Sequence, residues 1–592
     1  AILDEVDSIN FSISGGNDPY GDAVSLAFLS AYDNGVFVAA SAGNSGPGAD
    51  TVAHREPWTT TVGASTSDRH FLSTVTLEAD NGDTLELEGA TVTDGIASTP
   101  VIFPPAGEEG CLTPFPAGTF SGEIVICERG AIARVQKSFN AAAGGAGGML
   151  LYNPTLQGLA TDNHFIPSVH LENDAGEALL AFMDAHSGVT GAFTPGTATT
   201  VQGDTMAAFS SRGGPGQTLG ISKPDVTAPG VQILAGHTPL PATVVGGLPG
   251  QLFQSIQGTS MSSPMVAGSA ALVKAMHPDW TPGQIKSALM MTSKTKDVFK
   301  EDGVTPADAF DYGSGRVDLS KAGNPGITIS ASGQEFLDLE DELWNANLPS
   351  LYVPVMPGEI TVERTIQNET NKPRNWKLTP SSPKDVKISV PKHVKVKRNG
   401  EATFEISVDA RQVPIGETRF ASIEFKQGHE SLIFPITIVR RQPVVTLDKV
   451  CDPAEIKQGE TTECTITIEN TAFDAANVAL KDVLPRNIKL VKGSVVGADE
   501  NKKGVTFEGT LFGAAPPIVN VAVDPLASPF GYVPLAGFGP IVVSTSDESI
   551  TNFNVPSFVY AGEVYSQIGI VSNGYIVVGG GTGADVNYVN SD

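Results

Sequence analysis

Between residues 8 and 65, three short apolar segments alternate with a helical pattern, and that alternation confines the start of the chain to a parallel α/β sheet. SINFSI reads as a short apolar strand, VFVAASAGN as a buried one and TTTVGAS as a third. DAVSLAFLSAYDNG reads as the amphipathic helix between the first two, stopped by Asn34-Gly35. Near residue 76 the character changes. TVTLEADNGDTLELEG alternates like an exposed β-ribbon, and GEIVICERG, a helix over about 131–143 and GGAGGMLLYN suggest a small β-rich module that ends near 200. Over 201–325 the α/β character returns with FSSRGG, KPDVTAPG, a long helix in SSPMVAGSAALVKAMHP and another in TPGQIKSALMMTSK, N-capped by Thr281 with Pro282 at its first position. Segments 1–75 and 201–325 therefore read as one domain interrupted by an insertion over 76–200. Short alternating strands over 326–442 give a β-sandwich pattern, a second sandwich runs over 443–529, and an incomplete β-rich module occupies 530–592.

GTSMSSPMVAG places Ser260 directly before an amphipathic helix. Helix starts present unpaired N–H groups and a partial positive charge, which suits a serine nucleophile whose reaction builds an oxyanion. An N-cap serine on a helix packed by small residues would look similar if the motif stood alone. SAGNSGP adds Asn44, an uncharged amide in a glycine-rich turn after a buried strand, able to donate to an oxyanion. INFSISGG adds an extended segment of small and apolar residues that can pair with a peptide main chain.

GTSMSSP, SAGNSGP, INFSISGG, KPDVTAPG and YGSGRVD together resemble the subtilisin-like serine proteases, the subtilases, in order and context. The resemblance implies a serine endopeptidase with Ser260 as nucleophile and Asn44, with the Ser260 backbone N–H, as the oxyanion hole. It implies that Ser12, Ile13, Ser14 and Gly15, and Ser41, Ala42 and Gly43, wall the pocket for the residue before the scissile bond. The family usually carries glycine where Ser14 stands. The 76–200 insertion resembles a protease-associated domain, 326–442 a fibronectin type III-like domain, and 443–525 repeats of bacterial surface and secreted proteins. Members often bind calcium, although no ligands can be identified in the sequence.

A subtilase triad runs Asp, His, Ser along the chain, with the oxyanion asparagine between His and Ser. Both missing partners should therefore precede Asn44, yet the first histidine is His54, and no H-G-T-H or D-x-G motif occurs. Asp4 and Asp7 stand in another context, just before SINFSI. His54, His70 and His237 are the substitutes to weigh; none begins a glycine-rich helix. His164 and His170 are too isolated to suggest a metal site. The expectation is a fragment of a secreted protease that lacks its general base, with truncation at both ends because the chain opens on a helix end running into a buried strand, SINFSI, and closes in an unfinished strand-and-turn pattern. The alternative is a secreted or cell-surface binding protein on a protease scaffold without catalysis. An esterase would carry G-x-S-x-G instead.

Thirty-seven Lys and Arg against 65 Asp and Glu give a net charge of −28. That balance repels nucleic acid and anionic membranes, and no apolar run approaches a membrane span; the subtilase resemblance implies protein or peptide substrates outside the cell, with the inserted and β-sandwich domains as further surfaces for substrate or cell-surface partners. The four cysteines fall into two local pairs, Cys111 with Cys127 and Cys451 with Cys464, without C-x-x-C spacing. Two structural disulfides in an oxidising compartment are expected ahead of free buried thiols or zinc.

Overall fold

The computed structural model describes residues 1–441, 445–470, 476–485, 487–501, 504–511, 550–560, 563–571, 576–578 and 580, divided into two units at 443/444. In the first unit, β1 (Ser8–Phe11), β2 (Phe37–Ser41) and β3 (Thr60–Ser65) lie side by side in parallel. A later strand, Val226–Pro229 from KPDVTAPG, completes the sheet by pairing in parallel with β3. α1 (Ala23–Asp33) begins where Asp22 caps the Ser25 amide. It packs on one face with Phe28, Leu29 and Tyr32 against Val36, Val38 and Trp58. On the other face Phe37, Ala39, Val62 and Val226 meet the helix Thr259–Met276. Helix Pro282–Met291 follows, opened by a capping box between Thr281 and Gln284.

The insertion forms its own sheet, whose first strand, β4 (Arg69–Glu78), begins before the change in composition at 76. β5 (Thr84–Ala90), β6 (Ile96–Ile102), β7 (Ile124–Glu128), β8 (Gly148–Tyr152), β9 (Ser168–Leu171) and β10 (Thr190–Phe193) complete a closed ring, because β10 pairs with both β6 and β4. β11 (Thr197–Thr200) adds to the outside of β4. α2 (Arg134–Gly144) and α3 (Asn173–Ala185) pack onto the ring. Cys127, within β7, is disulfide-bonded to Cys111. The strand of KPDVTAPG is β12, followed by the hairpin β13 (Ile233–Gly236) and β14 (Phe253–Ile256). The long helix is α4 and the next α5.

Residues 327–440 form a sandwich of a four- and a five-stranded sheet around Trp376, Phe404, Phe425 and Phe434. Tyr352 Oη ties it to the α/β part through the Gln217 carbonyl at 2.9 Å. The second unit begins with the hairpin Val445–Asp452 and Glu463–Asn470, in which the disulfide-bonded Cys451 and Cys464 face each other. Two three-stranded sheets follow, the last over Ile550–Tyr560, Glu563–Val571 and Ile576–Val578. The start of the expected 530–592 module lies outside the described residues.

Two features depart from the sequence reading. β1 is only half-buried, and among the described residues it has a neighbour on one edge alone. α4 begins at Thr259, before the apolar run. Its inward face is buried, yet its outward face is apolar too: Pro264, Met265, Gly268, Ala271, Leu272, Ala275 and Met276 are all exposed. A parallel sheet is normally covered on both faces, and a helix apolar all round is normally interior.

Just before β12, the Asp225 carboxylate takes Lys223 Nζ at 2.7 Å and Lys286 Nζ at 2.8 Å, all three side chains being buried. Burial, opposed by Asp225 and reinforced by Lys223, holds Lys286 down at about 7. An unfolded lysine keeps its proton to about 10.4, so between these values unfolding takes up a proton and stability rises with pH. Melting temperatures of the parent and of Lys286→Met, compared from pH 7 to 10, are expected to differ by a component that rises with pH in the parent and is lost in the variant.

Candidate active site

Gly258, at φ 157°, turns the chain from β14 into α4 and puts Ser260 in the first helical turn. Amides of that turn have no helical acceptor, so Ser260 N is free to bind an anion. Pro264 lacks the N–H that would bond the Ser260 carbonyl. The hydroxyl of Ser12 does so instead at 2.7 Å, while Ser260 Oγ donates to the Ser12 carbonyl at 3.2 Å. The end of β1 and the start of α4 are thus latched together at the serine.

Asn44 lies just beyond the end of β2. Its Oδ1 accepts from Thr259 N at 2.9 Å and from Thr259 Oγ1 at 3.0 Å, and Thr259 Oγ1 accepts from Gly43 N at 3.1 Å. With Oδ1 committed to two donors, Nδ2 must point elsewhere, and it has no partner among the described residues. Ser211 Oγ accepts from Ser45 N at 3.0 Å and stands where a side chain on Gly43 would sit, 2.8 Å from a Cβ there. The turn carrying Asn44 is therefore clamped on both sides. Such an arrangement can supply two N–H donors, Asn44 Nδ2 and Ser260 N, to one developing negative charge.

The segments Ser12–Gly15 and Ser41–Gly43 are bridged by Val52–Arg55. Ala53 N donates to the Ala42 carbonyl at 2.8 Å and His54 N to the Gly15 carbonyl at 2.6 Å. Ile13 projects its side chain outward, 62% exposed.

None of the nine histidines bonds Ser260. His54 is 1% exposed and both its ring nitrogens are engaged, Nε2 with the Ile13 carbonyl at 2.6 Å and Nδ1 with Glu56 Oε1 at 2.9 Å. His70 lies in the inserted sheet, where burial lowers its pKa, and His237 lies in the loop after β13. His164 and His170 are less isolated than their spacing suggests, for both lie buried near Asp162. Arg134 binds that carboxylate at 2.5 and 3.1 Å. Burial lowers His164 to about 4 and His170 well below its ordinary value, so both are neutral at pH 7. Among the described residues no group of three or more His, Cys, Asp or Glu side chains is placed to hold a metal ion. None of their helices is long and apolar enough to cross a membrane. Thr259 and Ser12, which orient the two central groups, both stood inside the quoted motifs; their roles depend on contacts across more than 200 residues.

Residues 1–315 match the model of the subtilase family, and residues 345–438 match a fibronectin type-III domain model. Subtilisin-like protease SBT5.4 of Arabidopsis thaliana is 32% identical over 493 residues, 74% of this chain and 62% of that protein. Subtilisin-like protease SBT1.3 of the same plant is 36% identical over 360 residues, 57% of this chain and 46% of that one. The chain thus spans less than two thirds of the length of these relatives. Among solved structures, the psychrophilic subtilisin-like protease Apa1 of the Antarctic Pseudoalteromonas sp. AS-11 aligns at 14% identity and a TM-score of 0.25, over 54% of this chain and 70% of that one, too slight a likeness to carry an argument.

Proposed function

The chain belongs to the subtilase family, and from that premise we propose that it is part of a secreted serine endopeptidase whose nucleophile is Ser260. Ser260 Oγ attacks the scissile carbonyl of a peptide. A histidine from polypeptide beyond these residues takes the proton and returns it to the leaving amine, and an aspartate there holds that histidine in its tautomer. Asn44 Nδ2 and Ser260 N receive the oxyanion, and the segments 12–15 and 41–43 hold the substrate residue before the scissile bond. The observation that carries this reading is the double use of Asn44 Oδ1 by Thr259, which leaves the Asn44 amide nitrogen free as a donor.

The missing base is supported from packing. The edge of β1 that has no partner among the described residues and the apolar outer face of α4 are surfaces that a further layer of the α/β domain would bury. Leu272→Glu tests this: in the complete protease it should destabilise by roughly 3–5 kcal/mol, as for an unpaired buried charge. In this chain alone, where Leu272 is 61% exposed, it should shift the melting temperature little. The closed sheet over 69–200 acts as a protease-associated domain that selects substrates, and the two disulfides and the acidic surface suit an extracellular site of action.

The experiment is hydrolysis of a peptide by the complete protein. Asn44→Ala should lower kcat by about 10²–10³, the range known for subtilisin's own oxyanion asparagine, and Thr259→Val by about tenfold, because it loses one of two bonds that orient Asn44. The rival, a binding protein without catalysis, is favoured by one observation: no histidine here reaches Ser260. Hydrolysis that is absent in the complete protein, with peptide binding retained, would select it.

A further inference from the structure

His54 has an arrangement that its place outside the chemistry does not explain. It holds a left-handed backbone at φ 53°, a conformation uncommon for a residue with a side chain. Thr61 Oγ1 bonds its carbonyl at 2.5 Å, and its amide is spent on Gly15. The ring is turned beneath Ser12–Gly15 and packs edge-on to Phe11 at 5.4 Å. A carbonyl can only accept, so Nε2 carries the hydrogen that meets Ile13. Nδ1 is anchored by Glu56, which is fully buried and also receives Ser25 Oγ at 3.3 Å. Gly16 lies so close on this pair that a Cβ there would stand 2.7 Å from Glu56 Oε2 and 2.8 Å from His54 Nδ1.

The consequence is a division of the wall's main chain. Ser12 O is taken by Ser260, while Ile13 O and Gly15 O are both taken by His54. The amide and carbonyl of Ser14 are left without a partner among the described residues, on an exposed segment that directly follows the Ser12–Ser260 contact. Free main-chain groups fixed in this way can add an extended peptide by strand-like pairing.

We propose that His54, held by Glu56, is a positioning residue for the peptide: it fixes the carbonyls of Ile13 and Gly15 so that the free main-chain groups of Ser14 meet the substrate. The inference rests on the protease reading, since it concerns how that site holds its substrate.

Binding of a fluorescein-labelled Ala-Ala-Ala-Leu-Ala-Ala peptide to the full chain carrying Ser260→Ala, followed by anisotropy, separates the two. His54→Ala alone leaves Glu56 buried without its partner and can fail to fold. The pair H54F with E56L removes the Nε2 donor without leaving a charge, and should weaken the peptide Kd about tenfold. His54→Gln, which keeps an N–H for Ile13, should recover most of that affinity. A purely structural role makes affinity follow melting temperature across both variants; positioning makes it follow the donor. Unchanged affinity in H54F/E56L, affinity that tracks stability alone, or no peptide binding by the parent overturns the proposal. Failure of the protease reading shows separately, as peptide binding without Ser260-dependent hydrolysis in the complete protein.

Discussion

Ser260→Ala in the complete protease is expected to lower kcat for peptide hydrolysis by roughly 10⁶-fold, the magnitude known for the serine of subtilisin itself, with KM changed by no more than about threefold. On the proposed reading the hydroxyl forms the acyl bond and contributes little to holding the peptide, which main-chain groups of the segments 12–15 and 41–43 would bind. The substitution should also be structurally mild. Ser260 Oγ makes one bond, to the Ser12 carbonyl, and the stronger latch, from Ser12 Oγ to the Ser260 carbonyl, survives it. Unchanged melting with a loss of kcat identifies the nucleophile. A loss below about tenfold would place it elsewhere.

In this chain alone, the same substitution should remove almost nothing. Members of a catalytic triad act as a unit, so once the base is gone the serine adds little, and what remains comes from the oxyanion hole and from binding. Peptide hydrolysis by the 592-residue chain should therefore already lie near that residual level, and Ser260→Ala should change it by less than about tenfold. Asn44→Ala should cost more than Ser260→Ala here, the reverse of the order in the complete protease. A fall of several orders of magnitude on Ser260→Ala would mean that a base already acts within these residues.

The serine and the asparagine were legible because each stands in a short glycine-rich string at a place that secondary structure fixes, a helix start and a strand end. The parallel sheet was legible for the same reason: VFVAASAGN and TTTVGAS carry no charge and can only be interior. The orientation of Asn44 was not, because its partner Thr259 lies 215 positions away and only the folded chain brings them together. Closure of the inserted sheet depends on β10 pairing with two strands at once, which no local pattern encodes. His54 is visible in the sequence as a histidine, but nothing local shows that both its ring nitrogens are engaged, by the Ile13 carbonyl and by Glu56, rather than by Ser260. The outward face of α4 shows the opposite case. Its apolar residues were legible in the sequence, but only the folded chain shows which of them stay uncovered among the described residues.

The central claim is that Ser260 is a protease nucleophile whose base lies beyond these residues. The direct measurement is the rate at which a fluorophosphonate probe labels Ser260, read by peptide mapping, in this chain and in the complete protein. Rapid stoichiometric labelling of the complete protein, with little or none of this chain, is the predicted result. Efficient labelling of Ser260 in this chain alone would contradict the account.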